Sequence, residues 1–532
     1  MNKFKLFPLA LAAFAFSACT SEVAVENNPN VEGVKSYVAV NINNVGANGT
    51  RADGGYEEGA DNENAITKVR FYFFTQDGKP YKMTDNTSFV DATPTLNDGT
   101  NENVEKFSDA ILVIEGASKT APYSMMAVAN PQTLGPNVLK DEMSKPELEV
   151  ALADKAFVQP DNAADVQTDK AANGFVMTSS VYAKEGKKMW TADISGFVQT
   201  TAEAAKASPV DIFVERVATK LVTVTSGISE LGDATPAYPV GETTDGRKVF
   251  AKIKGWGLAD QSTQAKLIKD IDPTWTDDAL GFSAANPWNV EAYHRCFWEN
   301  SVRFENGDVS YNDLTTASDK PFYTLPNTTK TPEYVVAAEL VYHDGTPAVI
   351  CSYKGVEYLS EGAVKNVILA ENKQFYKKTG ETATQNDYSN LLDTDITFVV
   401  KENGSYEVKA QLNGEFELYT KGDNGAYTRV TPEDVNAALG TTAAQVRKGG
   451  MTYYHTKINH FGKENSTAQY GLVRNHVYKI DIKSIKGFGT PVYDPNAGFD
   501  PKTPEKVETF LAAKINVLSW RVVSNEVNLG GE

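Results

Sequence analysis

Short runs of β-branched and aromatic residues recur along this 532-residue chain. Val69-Arg70-Phe71-Tyr72-Phe73-Phe74 is one, and it stops at the turn pair Asp77-Gly78. Runs of the same kind occupy Ser124–Asn130, Phe175–Ser179, Val210–Val224, Tyr334–Val341, Thr397–Val400, Ser405–Leu412, Met451–Ile458 and Val473–Ile482. Between runs stand Asn97-Asp98-Gly99, Asp344-Gly345, Asn403-Gly404, Asn413-Gly414 and Asp423-Asn424-Gly425. Val, Ile, Tyr and Phe suit a pleated, half-buried surface, while Asn-Gly and Asp-Gly supply the left-handed backbone of tight hairpins. Regular short strands punctuated this way predict sandwiches. One helix is predicted at Lys145–Phe157, where Ser144 and Glu147 fit a capping box and Pro146 falls in the first turn. Leu148, Ala151, Leu152 and Lys155 share one face there, as in a helix laid over a sheet edge.

The two ends of the chain carry the most distinctive patterns. Near the start, Ser36–Val45 alternates: Val38, Val40 and Ile42 fall on one side, and Ala39, Asn41 and Asn43 on the other. That is a half-buried strand. Near the finish, Ile515 and Val517 share one parity and Leu518, Trp520 and Val522 the other, so a bulge or bend near Leu518 is needed to turn both sets inward. Val527 and Leu529 continue the alternation almost to the last residue. The tail 509–532 follows a stiff, solvated spacer at 494–508, rich in Pro and Asp. If the leading strand were removed, its neighbours would present unpaired N–H and C=O groups and an open apolar slot, which recruits another strand. The tail has the composition to fill such a slot. Burying five to seven of its side chains gives on the order of 10 kcal/mol before ordering costs. Folding back onto its own domain is the other use of the same pattern. The reading divides the tail, with Ile515–Val522 completing its own domain and Ser524–Leu529 reaching a neighbour.

Length favours more than one core. The domain division expected is 1–19 signal, 20–51 propeptide with the removable strand, 52–220 N-terminal sandwich and 221–532 C-terminal sandwich, the last with several polar insertions. Lys3 and Lys5 precede the apolar run Leu6–Phe16, too short to span a bilayer. Phe16-Ser17-Ala18-Cys19 then has small residues before a cysteine, like a lipobox with Phe in place of the usual Leu. The polar stretch Thr20–Asn30 fits a lipid tether at Cys19; an ordinary signal peptide cut near Ala18 is the alternative. Formal charge is −18. Residues 1–51 carry Lys3, Lys5, Lys35 and Arg51 against Glu22, Glu26 and Glu32, so a form starting at Ala52 carries −19. That argues against nucleic acid or an anionic membrane as partner. Arg51 sits in Gly46-Ala47-Asn48-Gly49-Thr50-Arg51-Ala52-Asp53, small and polar flanks that favour proteolysis.

Catalytic patterns are missing. The five histidines, His294, His343, His455, His460 and His476, make no H-E-x-x-H, and no C-x-x-C, G-x-S-x-G or P-loop occurs. A zinc site from His455, His460 and His476 requires the fold to converge them, and loop or exposed positions are the plainer reading. Asp393/Asp395 and Asp423/Asn424 lack the spaced ligand series of an EF-hand and read as turns. Trp288, Tyr293, Phe297 and Trp298 suit either a sugar platform or core packing. Cys296 and Cys351 fit one disulfide or two buried thiols equally well. No cofactor, no metal and no enzymatic activity are expected.

Several stretches resemble the fimbrillin family, the type V pilins, and among them the minor-fimbrium shaft subunits. Val473-Arg474-Asn475-His476-Val477-Tyr478-Lys479-Ile480-Asp481-Ile482-Lys483-Ser484-Ile485 carries the resemblance most strongly, followed by Val517-Leu518-Ser519-Trp520-Arg521-Val522. Phe213–Lys220, Phe322-Tyr323-Thr324-Leu325-Pro326-Asn327-Thr328 and Tyr453-Tyr454 add to it, as do the lipobox and Arg51. The resemblance implies a mainly β protein of two transthyretin-like sandwich domains with a few short helices. It implies export as a palmitate-bearing outer-membrane lipoprotein anchored through Cys19, then cutting between Arg51 and Ala52 by an Arg-specific protease. Donor-strand exchange follows, in which the slot left by Val38, Val40 and Ile42 receives Ile515, Val517, Leu518, Trp520, Val522, Val527 or Leu529 from another copy. The expected partners are further copies of the chain and the anchor and tip subunits of a cell-surface fimbrium serving adhesion and biofilm. A tip or accessory adhesin of the same system and a surface glycan-binding lipoprotein are the alternatives.

Overall fold

The computed structural model describes residues 34–45, 59–98, 104–117, 120–154, 156, 174–180, 182–184, 187–225, 231, 237–270, 303–304, 309–314, 320–327, 332–382, 384–401, 406–460, 469–501, 510–518 and 523–525. Its elements are strands joined by short helices, an all-β architecture of sandwiches as the alternation predicts.

The first unit is built on a nine-stranded sheet. Its order runs Phe89–Ala92, Val69–Phe74, Ser124–Ala129, Met177–Ser179, Val210–Arg216, Val34–Val45, Val104–Gly116 and Thr95–Asp98, with Ala192–Asp193 off the path. The two halves of this sheet share one core, in which Phe71 and Phe73 from one half pack with Val38, Val40, Leu112, Ile114 and Ile212 from the other. The chain crosses to the next sheet within a few residues: Val210–Arg216 belongs to the first and Thr219–Thr225 to the second.

That second sheet is ordered Pro321–Thr324, Thr219–Thr225, Val477–Lys486, Phe510–Leu518, Val523–Asn525. It shares a core with a third sheet, Ala237–Glu242, Lys248–Ala259, Glu333–Tyr342, Met451–Lys457, Thr490–Pro491. Trp256, Tyr334, Tyr454 and Tyr478 lie in that core, all but inaccessible to solvent. Strands fed by both ends of a long segment make this sandwich non-local.

Two readings of the sequence need correction. The helix expected at Lys145–Phe157 is only Lys145–Glu149. Its capping box forms as read, Ser144 N donating to Glu147 Oε2 at 2.8 Å and Glu147 N to Ser144 Oγ at 3.4 Å. The continuation, Leu152–Ala153, is a strand paired to Lys266 and Ala265; backbone pairing at that edge outweighs helix periodicity. Phe157 lies outside the described residues. Second, the segment between about 349 and 446, assigned with its strands Thr397–Val400 and Ser405–Leu412 to the C-terminal sandwich at large, folds around its own core of Ile368, Phe398, Val408, Leu418 and Val435. Two small sheets and two helices enclose it: Glu361–Glu371 and Pro432–Leu439. Both helices are longer than Lys145–Glu149. Ser360 and Thr431 cap them, each Oγ accepting from the third helical N–H at 3.2 Å, and Val364/Ile368 and Val435/Leu439 bury one face at i, i+4 spacing.

Candidate strand-exchange site

The leading strand Val34–Val45 is the first described element of the chain and lies inside its sheet. It runs antiparallel to Val104–Gly116, with Val38 opposite Leu112, Val40 opposite Ala110 and Ile42 opposite Ser108. On its other side it runs parallel to Val210–Arg216, with Val40 beside Val210, Asn41 beside Asp211 and Ile42 beside Ile212. Where that parallel strand has not begun, Tyr37 exchanges two backbone hydrogen bonds of 2.8 Å with Gln199. Val38 and Val40 have no solvent exposure. Ala39, on the opposite side, is buried as well, because the short helix Ala202–Lys206 lies against the strand; the strand is therefore more than half-buried. Lys35 closes the exposed end with an ion pair to Glu115 at 3.0 Å. The side chain of Ile42 lies outside the described residues, as do Cys19, Arg51 and Ala52.

The terminal strand Phe510–Leu518 runs antiparallel to Val477–Lys486, with Ile515 opposite Ile480, Val517 opposite Tyr478 and Leu518 opposite Val477. A register shift falls on the partner strand between Ile482 and Ser484. The chain then reverses, and Val523–Asn525 pairs back on it, Val523 to Val517 and Ser524 to Asn516. This hairpin is the outer edge of its sheet. In the single copy, then, Ile515, Val517 and Leu518 pair with their own domain and Ser524 closes the hairpin. Trp520, Val522, Val527 and Leu529 lie outside the described residues.

Three stretches that carried the family resemblance meet at the junction between these sheets. Asn475 N donates to Ala218 O at 2.8 Å, Lys220 N to His476 O at 2.9 Å, and Thr219 Oγ1 to Val473 O at 2.8 Å. Arg216 is fully buried; its Nε donates to Glu63 O at 2.9 Å and its guanidinium to Asn475 Oδ1 at 3.1 Å and to Asn64 Oδ1. Glu63, buried too, pairs with Lys220 Nζ at 2.8 Å and accepts from the Tyr323 hydroxyl. Burial works against the Glu63 carboxylate, but Lys220, Tyr323 and Arg216 outweigh it and hold its pKa below the usual carboxylate value. Asn475 adopts left-handed backbone, φ 56°, a conformation Asn tolerates far better than most residues. Hence Val473–His476, read as part of a strand, is the turn that plugs the junction, and the strand begins at Val477. Sequence reasoning missed Glu63, Arg216 and Asn475 as a unit. The available signal was a charged Arg inside the apolar run Phe213–Val224.

The other candidates resolve into structural roles. His460 Nδ1 and the Tyr478 hydroxyl are 2.8 Å apart, His476 Nδ1 lies 2.7 Å from Arg474 O, and His455 Nδ1 lies 2.7 Å from Glu333 Oε2. His460 and His476 do come together, with ring centres 5.4 Å apart, but His455 engages a different strand. Among the described residues no group of three or more His, Cys, Asp or Glu is arranged to hold a metal. Asp395 pairs with Lys377 at 2.6 Å, and Asn424 Oδ1 accepts from Ala426 N in a turn. Cys351 is a free, buried thiol; Cys296 and the aromatic group Trp288, Tyr293, Phe297 and Trp298 lie outside the described residues. No helix among the described residues is long and apolar enough to cross a membrane.

Comparison with known families finds two matches. Residues 36–216 match the model described as major fimbrial subunit protein (FimA), and residues 446–526 match major fimbrial subunit protein type IV, fimbrillin, C-terminal. No curated protein matches the chain. Solved structures similar to it include a candidate cell adhesion protein from Parabacteroides distasonis, at 14% identity over 92% of this chain and 97% of that one, TM-score 0.38. Another, from Bacteroides eggerthii, is 11% identical over 93% and 98%, TM-score 0.37. The tip fimbrial protein Mfa3 from Porphyromonas gingivalis, with C-terminal truncation, is 11% identical over 91% and 100%, TM-score 0.28.

Proposed function

We propose that this chain, which belongs to the fimbrillins through its matches at both ends, is a structural subunit of a fimbrium shaft that polymerises by protease-triggered donor-strand exchange. Members of these families are fimbrial structural subunits, and a cell-surface fimbrium is where they work. In the proposed sequence the precursor is exported, lipidated at Cys19 and held at the outer membrane. An Arg-specific protease cuts between Arg51 and Ala52. The leading strand leaves, and the tail of another copy enters. The domain division of the proposal falls near residue 220, with the donor segment in 509–532.

One observation carries the reading: the leading strand is the first among the described residues yet sits between two later strands, with Val38 and Val40 wholly buried. After a cut at Arg51 nothing covalent holds it. Its departure leaves Val104–Gly116 and Val210–Arg216 with unpaired edges facing one slot, lined by Leu112, Ile114 and Ile212. Burial of Val38 and Val40 is worth about 4 kcal/mol in all, so the strand leaves slowly unless another replaces it. The hairpin of Phe510–Leu518 and Val523–Asn525 supports the second half of the reading, because an outermost hairpin peels away without opening a sheet interior.

The test is electron microscopy of the purified precursor before and after mild Arg-specific cleavage. Filaments appear only after cutting, and neither an Arg51→Ala chain nor one lacking residues 524–532 forms them. Assembly by the truncated chain at the rate of the whole one rejects the shaft role in favour of a tip or accessory adhesin. A cut chain that stays monomeric rejects strand exchange.

A further inference from the structure

The module from about residue 349 lies between the two family-matched regions, up to residue 445, and one of its sheets has an unusual outer face. The four strands are ordered Tyr388–Asn390, Phe375–Lys378, Leu418–Lys421, Tyr427–Val430. Phe375 and Leu418 are buried in the module core, so their neighbours Tyr376 and Tyr419, paired across the strands, face outward. Tyr388 lies opposite Lys378, and Tyr427 opposite Lys421, which puts both on that same outer face. The rings from the two edge strands lean over the middle strands and stack, centroids 3.9 Å apart and planes 9° apart. Tyr376 and Tyr419 meet this pair edge-on at 5.2 and 4.9 Å. All four rings are only partly shielded. None of the four hydroxyls makes a hydrogen bond within the described residues, which leaves them open to solvent or to a ligand.

Cations flank the rings. Lys421 Nζ sits 5.5 Å from the centre of the Tyr427 ring. Arg429 is exposed beside Tyr419 in the register and makes no ion pair among the described residues. Lys378 is the exception, 3.7 Å from Glu417 on the same face. The patch thus has two uncommitted cations on a chain of −18, and at physiological salt charges beyond ~8 Å are largely screened, so the local sign governs.

We propose that this face binds an acidic glycan. The apolar C–H faces of pyranose rings lie on the tyrosine rings, sugar hydroxyls bond to the free phenol groups, and a sugar carboxylate pairs with Arg429 and Lys421. A planar guanidinium suits a carboxylate bidentately. Four clustered tyrosine rings flanked by cations present the aromatic and charged groups that an acidic sugar needs. The outward face belongs to the uncut monomer, so the proposal stands apart from polymerisation.

The experiment is calorimetric titration of the uncut, full-length chain with a hexasaccharide of alternating uronic acid and N-acetylhexosamine, and with the same hexasaccharide after reduction of its carboxyls to alcohols. The acidic form binds, and the reduced form binds about tenfold more weakly. Tyr388→Ala and Tyr427→Ala each cost about tenfold in affinity, and Arg429→Gln removes the preference for the acidic form. Tyr427→Phe keeps the ring and most of the affinity, which separates loss of stacking from loss of fold. Absence of binding by the natural chain overturns the proposal. So do equal affinities for the two hexasaccharides, alanine variants that bind undiminished, or an oligoglutamate peptide that binds as well as the acidic sugar.

Discussion

Truncating Val40 to Ala tests whether departure of the leading strand limits assembly. Val40 has no exposed surface and sits between Val210 and Ala110 in the sheet, over the core that holds Leu112 and Ile212. The change removes two buried carbons, about 0.8 kcal/mol each in transfer, and leaves a cavity; together about 2–3 kcal/mol. In the uncut precursor this lowers the melting temperature by several degrees. In the cut protein the segment is held without a covalent link, so the same energy is lost from its binding and its release quickens about thirty- to a hundred-and-fiftyfold. The assay follows the released segment by mass spectrometry and filament growth by light scattering after Arg-specific cleavage. Lys35→Ala is the control: its ion pair with Glu115 is exposed and screened by solvent, so neither readout moves. Faster release with unchanged growth, or growth while the segment stays bound, refutes the reasoning.

Glu63→Gln removes the buried carboxylate that pairs with Lys220 and destabilises the chain by about 3 kcal/mol at neutral pH. A carboxyl with depressed folded-state pKa contributes stability that is present above its unfolded value of about 4.3 and is lost as pH falls through the folded one. Melting curves against pH should therefore fall more steeply in acid for the natural chain than for the Gln variant; parallel curves rule out the linkage. Burial, with a smaller contribution from Glu361, pushes the Cys351 thiol up to about 12. Peptide mapping after alkylation is expected to find it unmodified in the native protein and modified in denaturant; native modification contradicts the buried placement. Thr431→Ala removes the cap accepted from Asp434 N and costs about 1 kcal/mol in urea melts, with an unchanged melt refuting the cap's role.

The alternation about Val38 and Val40, the run Val69–Phe74 and the turns at Asp77-Gly78, Asp344-Gly345 and Asp423-Asn424-Gly425 were legible from sequence, while Gly99 and Asn403-Gly404 lie outside the described residues. Each is a local pattern: side chains point to opposite faces every residue, and a tight turn needs particular residues within four positions. For the same reason the resemblance could be carried by short stretches at the two ends. The sequence also held the caps Ser360 and Thr431, yet the two helices they open were not read from it, since amphipathic faces that short become evident only beside the core they cover.

Tertiary structure alone decided what those stretches touch. Arg216 meets Asn475 across 259 residues of chain, a contact no local periodicity encodes. Helix Ala202–Lys206 buries the far side of Ala39, and an edge pairing turns Leu152–Ala153 from helix to strand. Tyr376, Tyr388, Tyr419 and Tyr427 are scattered in sequence and become one surface only when four strands align. Alternation tells which side of a strand is apolar; which partner lies on that side depends on loop closure and packing summed over the whole chain.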